Sequence, residues 1–210
     1  MSAVAPSAPR LVLADRVFGR SAVLDIVLVL AGAALTAVLA QVVIPLPYVP
    51  ITGQTLAVLL VGASLGWARG GAALLLYLVL GLAGLPVYAP EDDGSHIAGP
   101  AALMQTSFGY IIGFVFAAAI VGWLSERAWD RHVLKAIATF VGGSLVVFAF
   151  GLPWLSVVAG LDLADTLRYG LLPFIPGGVV KALIAAALLP LAWWGADRLA
   201  KYRAANTDAD

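Results

Sequence analysis

The sequence predicts an all-α membrane protein that crosses the bilayer six times, and three observations support this fold class. The chain has 210 residues, of which 62% are hydrophobic and 11% are charged, whereas about 25% of residues are charged in an ordinary soluble domain. Its apolar residues fall into six runs separated by charged or Pro/Gly-rich segments. Its Lys and Arg residues are concentrated in alternate connections between those runs, as expected for a multi-pass protein.

The six apolar runs are the candidate membrane helices, because a bilayer core about 30 Å thick requires about 20 helical residues. They cover residues 23–44, 54–66, 71–85, 107–124, 133–159 and 171–196. The second and third runs would extend only about 20–23 Å at 1.5 Å per residue. Irregular backbone is tolerated at membrane depth only inside protein or beside a cavity. We therefore expect the segment before the second helix to be re-entrant and to line a cavity.

The Lys and Arg residues predict the orientation. With six spans both termini lie on one side, and that side holds all but two of the twelve Lys and Arg residues, the exceptions being Arg168 and Lys181. The positive-inside rule then places both termini in the cytoplasm. We predict cytoplasmic tails at residues 1–22 and 198–210 and a domain at 23–197 that lies in the lipid bilayer of the cell membrane. The longer outward loops are expected to be ordered and to carry the working surface.

Several classes of function are disfavoured by the residues present. The chain has no cysteine and two histidines, which fall on opposite sides of the membrane, so we expect neither a disulfide nor a metal site. A net charge of zero argues against nucleic acid as a partner. There is no G-x-x-x-x-G-K-S/T loop, and Ser64 of a G-x-S-x-G match lies in an apolar helix. We predict no cofactor, and enzyme activity is the weakest of the functions considered.

The most informative segment is residues 45–55, which contains three prolines, two threonines and one glutamine between two apolar runs. Proline fixes φ and keeps the preceding residue out of the α region, so this segment must be extended and stiff. Thr52 is expected to cap the helix that follows. Gln54 has an amide that needs both donors and acceptors when buried, and a ligand with amide-like edges would satisfy it.

Lys181 is an ionisable residue near the start of the last apolar run, where a charge costs about 2.5–3.5 kcal/mol to insert. No acidic residue close to it in the sequence offers to neutralise it. Either its side chain extends to the outer interface, or it contacts an anionic or carbonyl-bearing ligand. We favour the ligand.

Four aromatic residues flank the outward loops, namely Tyr48, Tyr88, Phe108 and Tyr110. They belong either to an interfacial aromatic belt or to the walls of a pocket for a small, flat, mostly apolar ligand. The sequence does not separate these two roles.

Ala33 and Ala37 lie four residues apart in the first apolar run, among other small residues. Such a strip lets another helix approach closely. The helix that packs against this strip belongs either to this chain or to another subunit, and packing within the chain is the default.

Four segments carry a resemblance that extends from the first predicted helix to the last. They read PLPYVPITGQTL at residues 45–56, YLVLGLAGLPVY at 77–88, FGYIIGF at 108–114, and PFIPG at 173–177 followed by Lys181. Together they resemble the BioY family, the biotin-specific substrate-capture (S) components of energy-coupling-factor (ECF) transporters.

The resemblance implies a six-helix protein that binds biotin from outside in a pocket closed by the outer loops. It also implies partners, a transmembrane coupling subunit and two cytoplasmic ATPases, and by position it assigns docking of the coupling subunit to Ala33 and Ala37. Biotin needs amide-like partners for its ureido group, aromatic walls for its bicycle and a cation for its carboxylate. The predicted substrate-binding residues are Thr52, Gln54, Tyr88, Tyr110 and Lys181.

Two departures from the family pattern fall in the expected pocket. Members commonly have Asp directly after the Pro-Gly that precedes the last helix, where this chain has Gly178. The familiar Gly-Pro-Thr-Gly-Gly-Tyr before the fourth helix is replaced by MQTSFGY at 104–110. The sequence therefore favours capture of biotin for an ATP-powered transporter. Two alternatives stay open: a facilitator that works without partner subunits, and an S component that binds another small vitamin.

Overall fold

The computed structural model describes residues 12–207, which form a helical bundle with one small β-hairpin. The helices are α1 (Leu13–Phe18), α2 (Ala22–Ala40), α3 (Gln54–Leu65), α4 (Trp67–Leu82), α5 (Phe108–Ser125), α6 (Val133–Ala159), α7 (Leu163–Gly170) and α8 (Phe174–Thr207), and the strands are β1 (Val43–Ile44) and β2 (Ile51–Thr52). Short 3-10 helices cover Gly99–Met104 and Trp129–Arg131. The predicted helical class is confirmed apart from the hairpin. The portions of the predicted tails at residues 1–11 and 208–210 lie outside the described residues.

Four helices are long and apolar enough to cross a membrane, namely α2, α5, α6 and the Phe174–Tyr202 part of α8. The remaining apolar helices are shorter, with 12 residues in α3 and 16 in α4. At 1.5 Å per residue they extend about 18 Å and 24 Å. The prediction that the second and third apolar helices are short is therefore confirmed.

The proline-rich segment is the tip of the β-hairpin. Helix α2 ends at Ala40, not at residue 44 as predicted, because Val43 and Ile44 pair with β2 in an antiparallel register, Val43 opposite Thr52. β-branched residues favour this extended backbone. Gly53 then passes so close to α2 that a Cβ atom there would lie 2.6 Å from the Leu39 carbonyl oxygen. The extended conformation predicted for this segment is confirmed at Ile51 and Thr52, whereas residues 47–49 form a bend at the tip.

Helix α5 lies at the centre of the bundle and packs against α3, α4 and α6. Helices α3 and α4 are joined by Gly66, whose φ of +85° favours glycine. The Glu126 carboxylate, just after α5, accepts the backbone N–H of Trp67 at 3.1 Å and so caps the start of α4. The predicted third helix therefore begins at residue 67, four residues earlier than expected.

Part of the predicted N-terminal tail is an ordered helix. In α1, Arg16 forms an ion pair with Asp197 of α8 at 2.9 Å, and buried Asp15 pairs with Arg20 and Arg69, each at 2.7 Å. Burial alone would raise the pKa of Asp15, but the hydrogen bonds and charges of the two arginines lower it below its usual value. These contacts place α1 and the C-terminal half of α8 at the same end of the bundle.

The last helix begins three residues later than the predicted run, which started at residue 171. Helix α8 starts at Phe174, so Gly178 and Lys181 both lie within its first turns. The predicted loop before it contains α7, whose start is capped by the Asp162 carboxylate accepting the Asp165 N–H at 2.8 Å. The connections that were predicted to face outward are thus ordered, as expected.

Candidate functional site

A cavity of about 880 Å³ lies at the end of the bundle away from α1. It is lined by the β-hairpin, by the connection between α4 and α5, and by parts of α3, α5, α6 and α8. This volume is within the range of about 300–1,000 Å³ typical of small-molecule sites. All five predicted substrate-binding residues line it: Thr52, Gln54, Tyr88, Tyr110 and Lys181.

Lys181 extends from α8 across the cavity to the start of α3. Its Nζ donates to the backbone oxygen of Thr52 and to Oγ1 of Thr55, the latter at 2.7 Å. The ammonium is therefore held against the start of α3 by two neutral oxygen atoms. Within residues 12–207, no acidic side chain forms an ion pair with it. Gly178 lines the same cavity, and a Cβ atom there would meet nothing within 4 Å.

Gln54 obtains its hydrogen-bond partners from the protein. Thr52 Oγ1 accepts the Gln54 backbone N–H at 3.2 Å, as predicted for a cap, and donates to Gln54 Oε1 at 2.7 Å. Gln54 Nε2 donates to the Tyr77 hydroxyl at 2.5 Å, and that hydroxyl donates to the Val87 carbonyl at 3.1 Å. This chain of hydrogen bonds connects the hairpin, α3, α4 and the outer connection. Tyr77 was not predicted, because its only signal is one hydroxyl in an apolar run.

The hydroxyl groups of the two predicted tyrosines are also bonded within the protein. Tyr88 donates to the Leu78 carbonyl at 2.6 Å, and Tyr110 donates to the Gly170 carbonyl at 2.9 Å. Burial raises the pKa of Tyr88 to about 12, so it is a neutral phenol at physiological pH. Both residues therefore offer mainly ring surface to the cavity.

The remaining aromatic predictions divide into lining and supporting residues. Tyr48 lines the cavity, and its ring centroid lies 5.1 Å from that of Tyr169. Phe108 is not among the lining residues and packs behind the wall, 6.4 Å from Tyr88 and 5.6 Å from Trp154. The sequence left open whether Phe108 belongs to a pocket wall or to an aromatic belt, and its ring packs against Tyr88 and Trp154 instead of lining the cavity.

Two further aromatic residues line the cavity beside Tyr110. The rings of Phe148 and Phe174 lie 6.2 Å and 6.1 Å from it, and both residues line the cavity. The sequence did not single out either residue. Phe148, for example, is one of several Phe residues in an entirely apolar run.

Residues 104–110, which depart from the family pattern, form hydrogen bonds that hold the connection between α4 and α5 against the cavity. Gln105 Nε2 donates to the Glu91 carboxylate at 2.8 Å, and the Gln105 carbonyl accepts from Trp154 Nε1 at 3.1 Å. The Thr106 hydroxyl donates to the Tyr48 carbonyl, at the tip of the hairpin. The two sides of the cavity mouth are thus joined by hydrogen bonds.

The two predicted docking residues lie away from the cavity and largely face inward. Ala33 is 3% exposed and belongs to the buried core, and Ala37 packs at the edge of the same cluster. The internal alternative therefore describes Ala33, because neighbouring Gly32 brings α2 so close to α4 that a Cβ there would lie 2.9 Å from Ala73 Cβ. The burial of Ala33 favours internal packing, the default from the residues alone, over the docking role that the resemblance implies for it.

Comparison with known proteins identifies the family. Residues 13–198 match the family model described as BioY family. The chain belongs to the BioY family. Its BioY relatives include "Biotin transporter BioY" of Rhizobium etli, 39% identical over 148 residues that make up 67% of this chain and 75% of that protein. They also include "Probable biotin transporter BioY" of Pyrococcus horikoshii, 36% identical over 165 residues, 78% of this chain and 93% of that protein.

A solved structure agrees with this assignment to the BioY family. It is described as "Crystal structure at 2.1 A of the S-component for biotin from an ECF-type ABC transporter". The match has a TM-score of 0.62 at 25% identity and covers 80% of this chain and 89% of that one. The resemblance stated from the sequence segments is therefore confirmed, and the chain has the S-component fold.

Proposed function

We propose that this BioY-family protein captures biotin at the outer face of the cell membrane and delivers it inward as the substrate-specific subunit of an ECF-type transporter. Partner ATPases supply the energy. The observation that carries the proposal is the position of Lys181, a cation without an acidic partner in the described chain, at the wall of a cavity lined by tyrosine rings. Relatives named as biotin transporters support the choice of ligand.

The chemistry of the cavity suits the three parts of biotin. The carboxylate is attracted by Lys181, since a partly buried ammonium gains most from a full negative charge. The bicycle packs against the rings of Tyr48, Tyr110 and Phe174, which supply apolar surface at little entropic cost. The ureido group needs both donors and acceptors, which the polar residues near the mouth, such as Gln105, offer.

The proposed arrangement in the bilayer has six crossings, by α2, α3, α4, α5, α6 and α8, with both termini in the cytoplasm. Support comes from the end of the bundle that contains α1. There Arg127 lies 3.5 Å from the ring centroid of Trp123, and Arg198 lies 3.8 Å from that of Trp194. Trp at the membrane interface and Arg on the cytoplasmic side are both expected there. The cavity, at the opposite end, then faces outward.

We infer that the coupling subunit docks on the exposed face of α2. Of the four long apolar helices, α2 is the least buried in the described protein, at 17% of its apolar window. Its exposed side chains follow helical spacing and include small residues that permit close approach. They are Ala22, Val23, Ile26, Val27, Leu30, Ala31, Ala34, Leu35 and Val38. Ala37 lies at the margin of this face, whereas Ala33 does not belong to it.

The test of the substrate is calorimetry of the purified protein with biotin and with an unrelated vitamin. We expect heat with biotin alone. Lys181→Ala should weaken biotin binding at least tenfold, because a hydrogen bond to a charged group contributes about 1.5–3 kcal/mol. Lys201→Ala, an exposed residue far along the same helix, is the matched control and should bind normally. Absence of heat with biotin would contradict the proposed substrate, and normal affinity in Lys181→Ala would contradict the role of that residue.

The test of the docking face is Ala34→Trp. We expect biotin affinity to stay within twofold of the unchanged protein, while biotin uptake by cells that contain the partner subunits is lost, because a large side chain blocks close helix packing. Val157→Trp, at an 83% exposed position of α6, is the control and should leave uptake intact. Normal uptake with Ala34→Trp would remove this face from the proposal and favour the facilitator that works alone.

A further inference from the structure

We propose that Thr55 is a ligand-binding residue of the cavity and that its hydroxyl binds the ligand carboxylate together with the Lys181 ammonium. This inference rests on the proposed function and deepens it, since it names a second contact for the carboxylate of biotin. Thr55 lines the cavity one position after Gln54, in the first turn of α3.

The direction of the Thr55 hydroxyl follows from its bond to Lys181. Lys181 Nζ has donors only, so in the 2.7 Å contact the Thr55 oxygen accepts. The hydroxyl hydrogen must then point away from the ammonium. Among residues 12–207, no hydrogen bond donated by Thr55 is found.

Three of the other hydroxyls that line the cavity already donate a hydrogen bond within the protein. Thr52 donates to Gln54 Oε1, Thr106 donates to the Tyr48 carbonyl, and Ser144 donates to the Phe140 carbonyl at 2.9 Å. Their hydrogens are already engaged within the protein. The Thr55 hydroxyl, by contrast, keeps a donor that is oriented by Lys181 and free to bind an acceptor on the ligand.

The ammonium of Lys181 has a matching free donor. Two of its three N–H groups are bonded to the Thr52 carbonyl and to Thr55, and the third has no partner in the described chain. Both existing acceptors are neutral, so they accept hydrogen bonds from the ammonium but do not compensate its charge. A buried charge without a counterion is costly. Gly178, one turn earlier on α8, brings no carboxylate to this part of the cavity.

A ligand carboxylate satisfies both free donors at once. It has two acceptor oxygens and a full negative charge, so one oxygen can accept from Lys181 Nζ while the other accepts from Thr55 Oγ1. A neutral acceptor such as the ureido carbonyl could accept these hydrogens but would leave the charge uncompensated. The geometry and charge together therefore favour the carboxylate.

Calorimetry with biotin and biotin methyl ester tests the assignment. Thr55→Val should weaken biotin binding about tenfold and ester binding less than threefold, because only the acid presents a charged acceptor. Thr55→Ser, which keeps the hydroxyl, should stay within threefold of the unchanged protein for both ligands. Thr139→Val is the matched control, since Thr139 is not among the residues that line the cavity and its hydroxyl hydrogen is used by the Lys135 carbonyl, and it should bind both ligands normally. Thr55→Ala, with the same expected losses, replaces Thr55→Val if that variant does not fold.

A second experiment, in the Lys181→Met variant, distinguishes direct contact between Thr55 and the ligand from positioning of Lys181 by Thr55. In Lys181→Met, the additional change Thr55→Val should weaken biotin binding by at least a further threefold, since the hydroxyl touches the ligand itself. No further loss would mean that Thr55 acts only by holding Lys181, which overturns the proposal. Equal losses for biotin and its ester would overturn the assignment to the carboxylate.

The same measurements distinguish this proposal from the proposed function. If the unchanged protein binds biotin but Thr55→Val binds it equally well, the Thr55 assignment is wrong and the proposed function stands. If the unchanged protein binds no biotin, the proposed function is contradicted, and the assignment of Thr55 to its carboxylate is contradicted with it.

Discussion

Asp130 is a fully buried carboxyl in the turn between α5 and α6, with 0% of its surface exposed. Its Oδ2 accepts from Trp193 Nε1 of α8 at 2.6 Å, while Oδ1 has no hydrogen-bond partner in the described part of the chain. Burial raises the pKa of this carboxyl, although the Trp193 bond opposes the shift. The Asp130 side chain thus connects α8 to the α5–α6 turn, and the free energy of burying it depends on whether its carboxyl is protonated.

The sign of this cost gives a prediction. A carboxyl whose pKa is raised by folding stabilises the fold only while it is protonated, so its contribution falls as pH rises from about 4 through the folded pKa. Asp130→Asn removes the charge and keeps an acceptor for Trp193. We expect its melting temperature in detergent to exceed that of the unchanged protein by roughly 2–4 °C at pH 8, as for a gain of about 1 kcal/mol, and to match it near pH 4.

The control is Asp130→Ala, which leaves Trp193 Nε1 without an acceptor and should lower the melting temperature at both pH values. A lower melting temperature for Asp130→Asn at pH 8 would show that the ionised carboxylate stabilises this turn.

At the scale of elements, the central helix α5 depends on glycine where it meets the α3–α4 turn. A Cβ atom on Gly122 would lie 2.3 Å from the backbone carbonyl carbon of Gly66. One of these atoms is the added Cβ and the other is a backbone atom, so neither can move aside like the end of a flexible side chain. The close approach also brings Glu126 to the start of α4, where it caps Trp67.

Gly122→Ala is therefore expected to force α5 away from the α3–α4 turn. We expect a loss of at least about 2 kcal/mol in stability, since overpacking in a well-packed core costs about 1–3 kcal/mol or more. The measurement is the midpoint of thermal unfolding in detergent. The matched control is Gly142→Ala in α6, where a Cβ meets nothing within 4 Å, and which should be neutral or slightly stabilising because Ala favours helix. Equal behaviour of the two variants would contradict the packing described for α5.

At the scale of the whole molecule, the bundle has two chemically different ends. One end contains α1, the ion pairs of Asp15 and the Arg–Trp contacts. The other contains the cavity, the hairpin and the acidic connection between α4 and α5. This asymmetry underlies the proposed orientation, with the cavity outside.

The absence of cysteine from the chain allows a direct test of that orientation. Ser95→Cys, in the exposed α4–α5 connection, should react in intact cells with a maleimide that does not cross membranes. His132→Cys, exposed at the start of α6, should react only after the cells are permeabilised. The reverse pattern would invert the proposed topology, and labelling of both in intact cells would contradict the single crossing by α5 that separates the two positions.

Much of the fold and part of the site were predictable from local chemistry. The apolar runs, the short α3 and α4, and the extended proline segment follow from composition and from the geometry of proline. Lys181 and Gln54 stood out because a polar side chain in an apolar run must find a partner. Tyr77 and Thr55, which provide those partners, could not be found in this way, since their hydroxyls are inconspicuous and their contacts join distant helices.

The sequence by itself determined that this protein is a helical membrane protein of the BioY family with a proline-rich segment beside a cavity. The tertiary structure alone decided which face of each helix turns inward. The sequence left open whether the strip at Ala33 packs internally or against another subunit, and Ala33 is buried. It also left open whether Phe108 belongs to a pocket wall, and Phe108 lies behind the wall. The physical reason is that α2 and α5 are apolar on all sides, so hydrophobic periodicity does not mark an inward face, and close packing of small residues such as Gly32 sets it instead.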